Sequence, residues 1–202
     1  MIKDNETKQL ILDSALKIFS TYGYQASPMR KITGDIGFTP GALYGYFKSK
    51  EELFYALTDP TAKYIRDTLE TVKTKIEEIP LEKRLELMPN IFYQNIPMIV
   101  EVLSSNKKAL NLIINCSKGT KYEHFLDDIA KYNALNINQA AKSSNVSRPI
   151  NNETMDILMD GYIRTLFNLI LSNKKRETVI ECMETIAKIY EIGILSLMKK
   201  EE

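Results

Sequence analysis

Apolar residues return every three or four positions along almost the whole of this 202-residue chain, and no stretch alternates apolar with polar residues between hairpin turns. A period near 3.6 cannot sit on a pleated strand, whose faces repeat every second residue, so the pattern predicts an all-α fold. With 44% hydrophobic residues there is enough apolar material for a compact core, or for a small module joined to a larger one.

The punctuation of the first fifty residues divides them into three short helices. The first is predicted over 8–22, burying Ile11, Leu12, Ala15, Leu16 and Phe19, with Thr7 as its cap and Gly23 at its stop. The second opens at Ser27-Pro28, a cap residue followed by proline, and closes before Gly37 with Met29, Ile32 and Ile36 on its inner face. Thr39-Pro40 repeats that signal for a third helix, which buries Leu43 and Phe47 and ends by Lys48. Ser49-Lys50-Glu51-Glu52 then reads as a capping box, with Glu52 reaching back to the Ser49 amide.

A fourth helix starts there and is expected to break or kink at Asp59-Pro60 before resuming to about residue 78. Beyond Pro80 the pattern loosens around Pro89 and Pro97. One helix is predicted over 107–117, ended by Gly119, another over 122–141, and a polar loop over 143–152. Two long helices, about 153–172 and 175–199, complete the pattern. Their stripes, Met155, Met159, Tyr162, Leu166 and Leu169, then Val179, Met183, Ile186, Tyr190 and Ile194, are accompanied by further apolar residues off the stripe. Helices of that kind need burial on more than one side, which predicts a homodimer through the last two helices as a four-helix bundle.

Two helices joined by a tight turn at Gly37-Phe38 make a helix-turn-helix. The turn needs a residue that tolerates positive φ, and Phe38 plugs between the helices so that the third stands proud. With Leu43 and Phe47 turned inward, Pro40, Gly41, Tyr44, Gly45 and Tyr46 are left outward, and almost nothing long projects near the start of the helix. Backbone and small side chains can then lie close to base edges.

The run GFTPGALYGYFKSKEELF, residues 37–54, resembles the signature of the TetR family, and ILDSALKIFSTYGY before it resembles that family's first helix; together they cover about residues 7–57. The resemblance implies a three-helix DNA-binding module in residues 1–50 and a larger helical domain for ligand binding and dimerisation in 51–202. It implies that Tyr44 and Lys50 hold phosphates, that Thr39, Pro40, Gly41 and Ala42 lie against base edges, and that Ser27 and Arg30 make weaker contacts, with Tyr46 and Lys48 between these. Elementary chemistry agrees, since a phenol on the exposed face can donate to a phosphate and a lysine at the first turn of a helix sits where amides also favour an anion.

Net charge over the chain is +1, but residues 1–50 carry seven basic and four acidic side chains, leaving an acidic remainder. That asymmetry suits a basic module approaching phosphates. Met1–Thr7 is polar, and no segment approaches the roughly twenty apolar residues that span a bilayer, so the expected setting is the cytoplasm with no membrane partner. Cys116 and Cys182 sit in apolar helical contexts without metal-ligand spacing, as expected of reduced thiols. His124 is the single histidine, and no nucleophile elbow or glycine-rich oxyanion segment accompanies it, so neither catalysis nor a cofactor is expected.

Aromatic, methionine and thiol side chains of the larger domain are the expected wall of an effector cavity. Tyr93, Met98, Cys116 and Tyr122 come from its first half, and Phe125, Met159, Tyr162 and Phe167 follow. The segment SKGTKYEHF, 117–125, resembles one seen in some members of the family. The function expected is a DNA-binding transcriptional regulator, a repressor released from a near-palindromic double-stranded operator by a small molecule. The alternative is an all-α ligand-binding or interaction protein without DNA binding, against which the Gly37, Tyr44 and Lys50 set argues.

Overall fold

A computed structural model describes residues 2–144 and 146–198. Asn145, within the expected loop, and Lys199, at the expected end of the last helix, lie outside the described residues. Among the described residues there are nine α-helices and no strand: α1 (Ile2–Tyr22), α2 (Met29–Asp35), α3 (Pro40–Tyr44), α4 (Lys50–Glu77), α5 (Arg84–Ser104), α6 (Lys107–Asn115), α7 (Phe125–Ser143), α8 (Asn152–Leu171) and α9 (Arg176–Met198). None of these is long and apolar enough to cross a membrane.

Two compact units emerge, Met1–Tyr64 with Asn106–Phe125, and Ile65–Ser105 with Leu126–Glu202. They are not the consecutive segments 1–50 and 51–202 expected from the sequence. The first unit contains α1 to α3, the start of α4, and also α6 with the turn that follows it, because α6 packs on α1. Its core is Ile11, Ala15 and Phe19 of α1, Ile32 of α2, Leu43 and Phe47, Leu53 and Phe54 of α4, and Leu110, Leu112 and Ile113 of α6. Phe19 and Phe54 meet edge to face at 5.2 Å, and burial of each such ring is worth about 1.5–3 kcal/mol. The second unit is built on contacts of α5 with α8 and α9 and of α8 with α9.

Several boundaries differ from expectation for identifiable reasons. α1 starts at Ile2, so Thr7 lies inside the helix rather than at its start; no residue of 3–7 breaks a helix, and Asp4 in the first turn complements the dipole. α4 passes through Pro60 without interruption. The missing N–H frees only the Ala56 carbonyl, on a face where both Ala56 and Pro60 are exposed to solvent, so a break is unnecessary. α5 likewise runs through Pro89 and Pro97. α3 stops at Tyr44, where Gly45 begins a turn, rather than continuing to Lys48.

On the last two helices the expected stripes face into the protomer: Met155, Met159, Leu166, Val179, Met183 and Ile194 are buried. The residues off the stripe are the exposed ones, Ile157 on α8 and Ile189, Ile192 and Leu197 on α9, each more than half accessible.

Candidate nucleic-acid interface

The turn between α2 and α3 forms as its residues require. Gly37 adopts φ +69°, and the Phe38 amide donates to the Thr33 carbonyl at 2.8 Å, which closes α2. Thr39 caps α3, its hydroxyl oxygen accepting from the Ala42 amide at 3.2 Å, with Pro40 in the first turn. Leu43 and Phe47 anchor the helix inward, leaving Thr39, Pro40, Gly41, Ala42 and Tyr44 exposed. The start of α3 is therefore an exposed helix end of small side chains with one phenol beside it.

α4 opens with the Ser49 hydroxyl oxygen accepting from the Glu52 amide at 3.0 Å. The Glu52 carboxylate returns to the Lys48 amide at 2.7 Å, one residue before the Ser49 amide expected of a capping box. Glu51 and Glu52 stand in the first turn beside Lys48 and Lys50, so this helix start is mixed in charge. Lys48 is exposed and Tyr46 half-buried; Tyr46 lines an open groove of about 720 Å³ with Lys8, Phe47 and the first three turns of α4. Arg30 is exposed at the start of α2, and its neighbour Lys31 stacks 3.5 Å over the Tyr22 ring.

Two residues depart from the expected interface. Ser27 neither caps α2 nor reaches the surface: it is fully buried, and its hydroxyl donates to the Gly23 carbonyl at 2.6 Å, so it fixes the α1–α2 turn and cannot touch DNA in this conformation. Lys50 does not stand free. Its ammonium donates to the carbonyls of Tyr24 at 2.9 Å and Gln25 at 3.3 Å and lies 4.4 Å from the Tyr24 ring centre. Burial there depresses the affinity of Lys50 for its proton.

Of the residues expected to line an effector cavity, Cys116, Tyr122 and Phe125 belong to the first unit and Tyr93, Met98, Met159, Tyr162 and Phe167 to the second. Tyr122 packs against Tyr55 and Phe125, and its hydroxyl donates to Asp59 at 2.6 Å. In the second unit Met159 and Phe167 are core, while Met98 is 38% accessible and so forms no part of an enclosed wall there. Tyr162 lies between Phe92 and Tyr190, and Tyr93 donates to Glu191 at 2.6 Å. Burial raises the pKa of both Tyr93 and Tyr162, helped in Tyr93 by its bond to Glu191. Among the described residues no group of three or more His, Cys, Asp or Glu side chains could hold a metal.

Sequence reasoning placed a helix stop at Gly119 but missed what the turn after α6 holds. Lys121 donates its amide to the Tyr55 hydroxyl oxygen at 3.2 Å and its ammonium to Asp59 at 2.9 Å, while the Cys116 carbonyl accepts from the Tyr24 amide at 2.8 Å. The local signal was Gly119, which adopts φ +82°. Its long-range partners leave no trace in the local pattern.

A small trihelical unit with a capped, exposed third helix after a glycine turn is a helix-turn-helix module, the class that reads duplex DNA. Residues 11–57 match the family model described as bacterial regulatory proteins, tetR family. Residues 11–57 thus carry a domain similar to the DNA-binding domain of that family. It is 30% identical over 125 residues to an HTH-type transcriptional regulator, AcrR, of Shigella flexneri, covering 54% of this chain and 58% of that one. Over 50 residues it is 38% identical to an HTH-type transcriptional repressor of Mycobacterium tuberculosis, covering 25% of this chain and 27% of that one. The chain thus spans less than two thirds of the length of these curated relatives. The fold is similar to the transcriptional regulator FadR of Bacillus subtilis, solved in complex with stearoyl-CoA, with a TM-score of 0.52 and 16% identity over 92% of this chain and 98% of that one.

Proposed function

We propose that this protein is a transcriptional regulator that binds a near-palindromic double-stranded operator as a homodimer and is released by a small-molecule effector, acting as a repressor in the cytoplasm. The observation that carries the reading is the exposed, small-residue start of α3 beside Tyr44, within a domain matched from α1 to the second turn of α4. Exposed Thr39, Pro40, Gly41 and Ala42 allow close approach to base edges, and Tyr44 supplies a donor to the backbone. The exposed apolar residues of α8 and α9 support pairing with a second copy, which would set two recognition helices about 34 Å apart, on successive major grooves.

The effector acts through α4, the helix that contributes residues to both units and contains Pro60. The relative crystallised with stearoyl-CoA makes long-chain acyl thioesters the first compounds to try. The test is selection of bound duplexes from a random pool, followed by a screen for release that begins with acyl-CoA esters. An enriched inverted repeat whose binding falls steeply with salt is expected. No enrichment, or binding indifferent to salt, overturns the reading.

A further inference from the structure

The side chain expected to hold a phosphate is already occupied by the chain itself. Lys50 donates to two backbone carbonyls of the α1–α2 turn, Tyr24 at 2.9 Å and Gln25 at 3.3 Å, with the Tyr24 ring covering another side of the ammonium. An ammonium has three protons, so two of the three are committed to this cage. The cage does not hold its shape alone. The Tyr24 amide donates to the Cys116 carbonyl at the end of α6, and Gly119 lies so close to Gln25 that a Cβ there would stand 2.8 Å from its Nε2. The same turn is fastened to α4 by Tyr122 and Lys121, both on Asp59. The carbonyls that hold Lys50 are thus braced by a segment about 90 residues further along the chain.

We propose that Lys50 is held back from DNA by an autoinhibitory cage, the Tyr24 and Gln25 carbonyls, and that the turn after α6 sets how firmly the cage holds. A DNA phosphate must then displace two carbonyl oxygens before it gains this contact. Any movement of residues 116–122 changes the cost of that exchange. The desolvation that lowers the lysine pKa agrees, since a caged ammonium has given up water without gaining a full counter-charge. This inference rests on the DNA-binding reading above, and its test separates the two.

The first arm follows the lysine side-chain carbons by NMR in the full-length protein without DNA, with Lys50 assigned by its loss in Lys50→Met. Lys50 should titrate below the other lysines, and in Gly119→Ala, where the added methyl strains the turn and displaces Gln25, it should move back toward them. A Lys50 resonance that titrates with the rest in the parent, or is unmoved in both Gly119→Ala and Tyr122→Phe, overturns the cage. The second arm measures affinity by fluorescence anisotropy for a random-sequence duplex of about 24 base pairs, enough for two half-sites. Gly119→Ala or Tyr122→Phe should bind about three- to tenfold tighter than the parent, and the gain should vanish in the Lys50→Met background. A gain of the same size in both backgrounds, or a loss of affinity with Lys50 present, overturns the proposal. Failure of every form to bind duplex overturns the DNA reading and with it the competition, and is told apart from failure of the cage because the Lys50 resonance stays shifted.

Discussion

The Tyr122 hydroxyl donates to the Asp59 carboxylate at 2.6 Å across 63 positions of sequence, and Lys121 reaches the same carboxylate at 2.9 Å. The two contacts differ in environment: Tyr122 is buried, whereas the Lys121 and Asp59 side chains are about half accessible. Tyr122→Phe should therefore cost about 1–2 kcal/mol of unfolding free energy, because a charged acceptor loses its phenol donor. Lys121→Ala should cost under about 1 kcal/mol, as exposed ion pairs do. Chemical denaturation of the two variants measures the difference, and equal losses would refute the ranking.

The dimer face is expected at the exposed residues of α8 and α9. Ile189→Glu or Ile192→Glu should give a folded monomer by light scattering with helical circular dichroism retained, since both side chains are more than half accessible in the protomer. Ile194 is 8% accessible, so Ile194→Glu should unfold the second unit rather than separate two intact copies. A stable dimer in Ile189→Glu and Ile192→Glu alike places the interface elsewhere.

Ser27 and Tyr44 should divide stability from DNA affinity. Ser27→Ala removes the buried bond to the Gly23 carbonyl and should lower stability by about 1 kcal/mol while leaving duplex affinity unchanged. Tyr44→Phe should do the reverse, weakening all duplexes nearly uniformly without altering sequence preference or the melting temperature. Anisotropy titrations on two unrelated duplexes, beside thermal melts, read both; a changed sequence preference in Tyr44→Phe would mean base readout instead.

Lys17 donates to Asp35 at 2.6 Å, and that bond holds the Asp35 carboxyl below the ordinary aspartate range. A depressed folded pKa means that the contribution of Asp35 to stability is present above its unfolded pKa and is lost as pH falls through the folded value. Removing the donor with Lys17→Met should raise the Asp35 pKa toward the usual value and shift the acid limb of the stability profile to higher pH. Carboxyl-carbon NMR titration of parent and variant checks it.

Pro60 leaves the Ala56 carbonyl without a helical donor in an otherwise continuous α4. Pro60→Ala restores that donor and stiffens the helix, so the effector concentration for half-release should change more than the operator affinity without effector. Overlapping release curves would show that this position is not where the signal passes.

Local chemistry made much of the first unit legible. Thr39 and Ser49 form their caps, Gly37 takes the expected positive φ, and Leu43 and Phe47 point inward, because each of these is decided within a few residues. Ser27 carries the same cap-then-proline signal as Thr39, yet it is buried, because the α1–α2 turn offers its hydroxyl the Gly23 and Ile18 carbonyls instead. The prolines of α4 and α5 do not end their helices, for a related reason: a lost backbone bond ends a helix only when packing on either side does not hold the axis together. What the sequence could not reveal is long-range. Nothing in SKGTKYEHF says that Tyr122 will find Asp59, or that Lys50 will find Tyr24 before it finds a phosphate.

The chain leaves the first unit after Tyr64, returns to it at Asn106 and leaves again after Phe125. The first unit is therefore not a cassette. A graft of residues 1–64 onto a foreign body would leave behind Leu110, Leu112 and Ile113, three wholly buried side chains of α6, and bare the part of α1 on which that helix rests. Recombination that exchanges recognition helices between relatives must either carry a matching α6 with them or meet one in the recipient that fits. The two stretches of this unit are bound to change together, although 41 residues of the other unit lie between them in the chain.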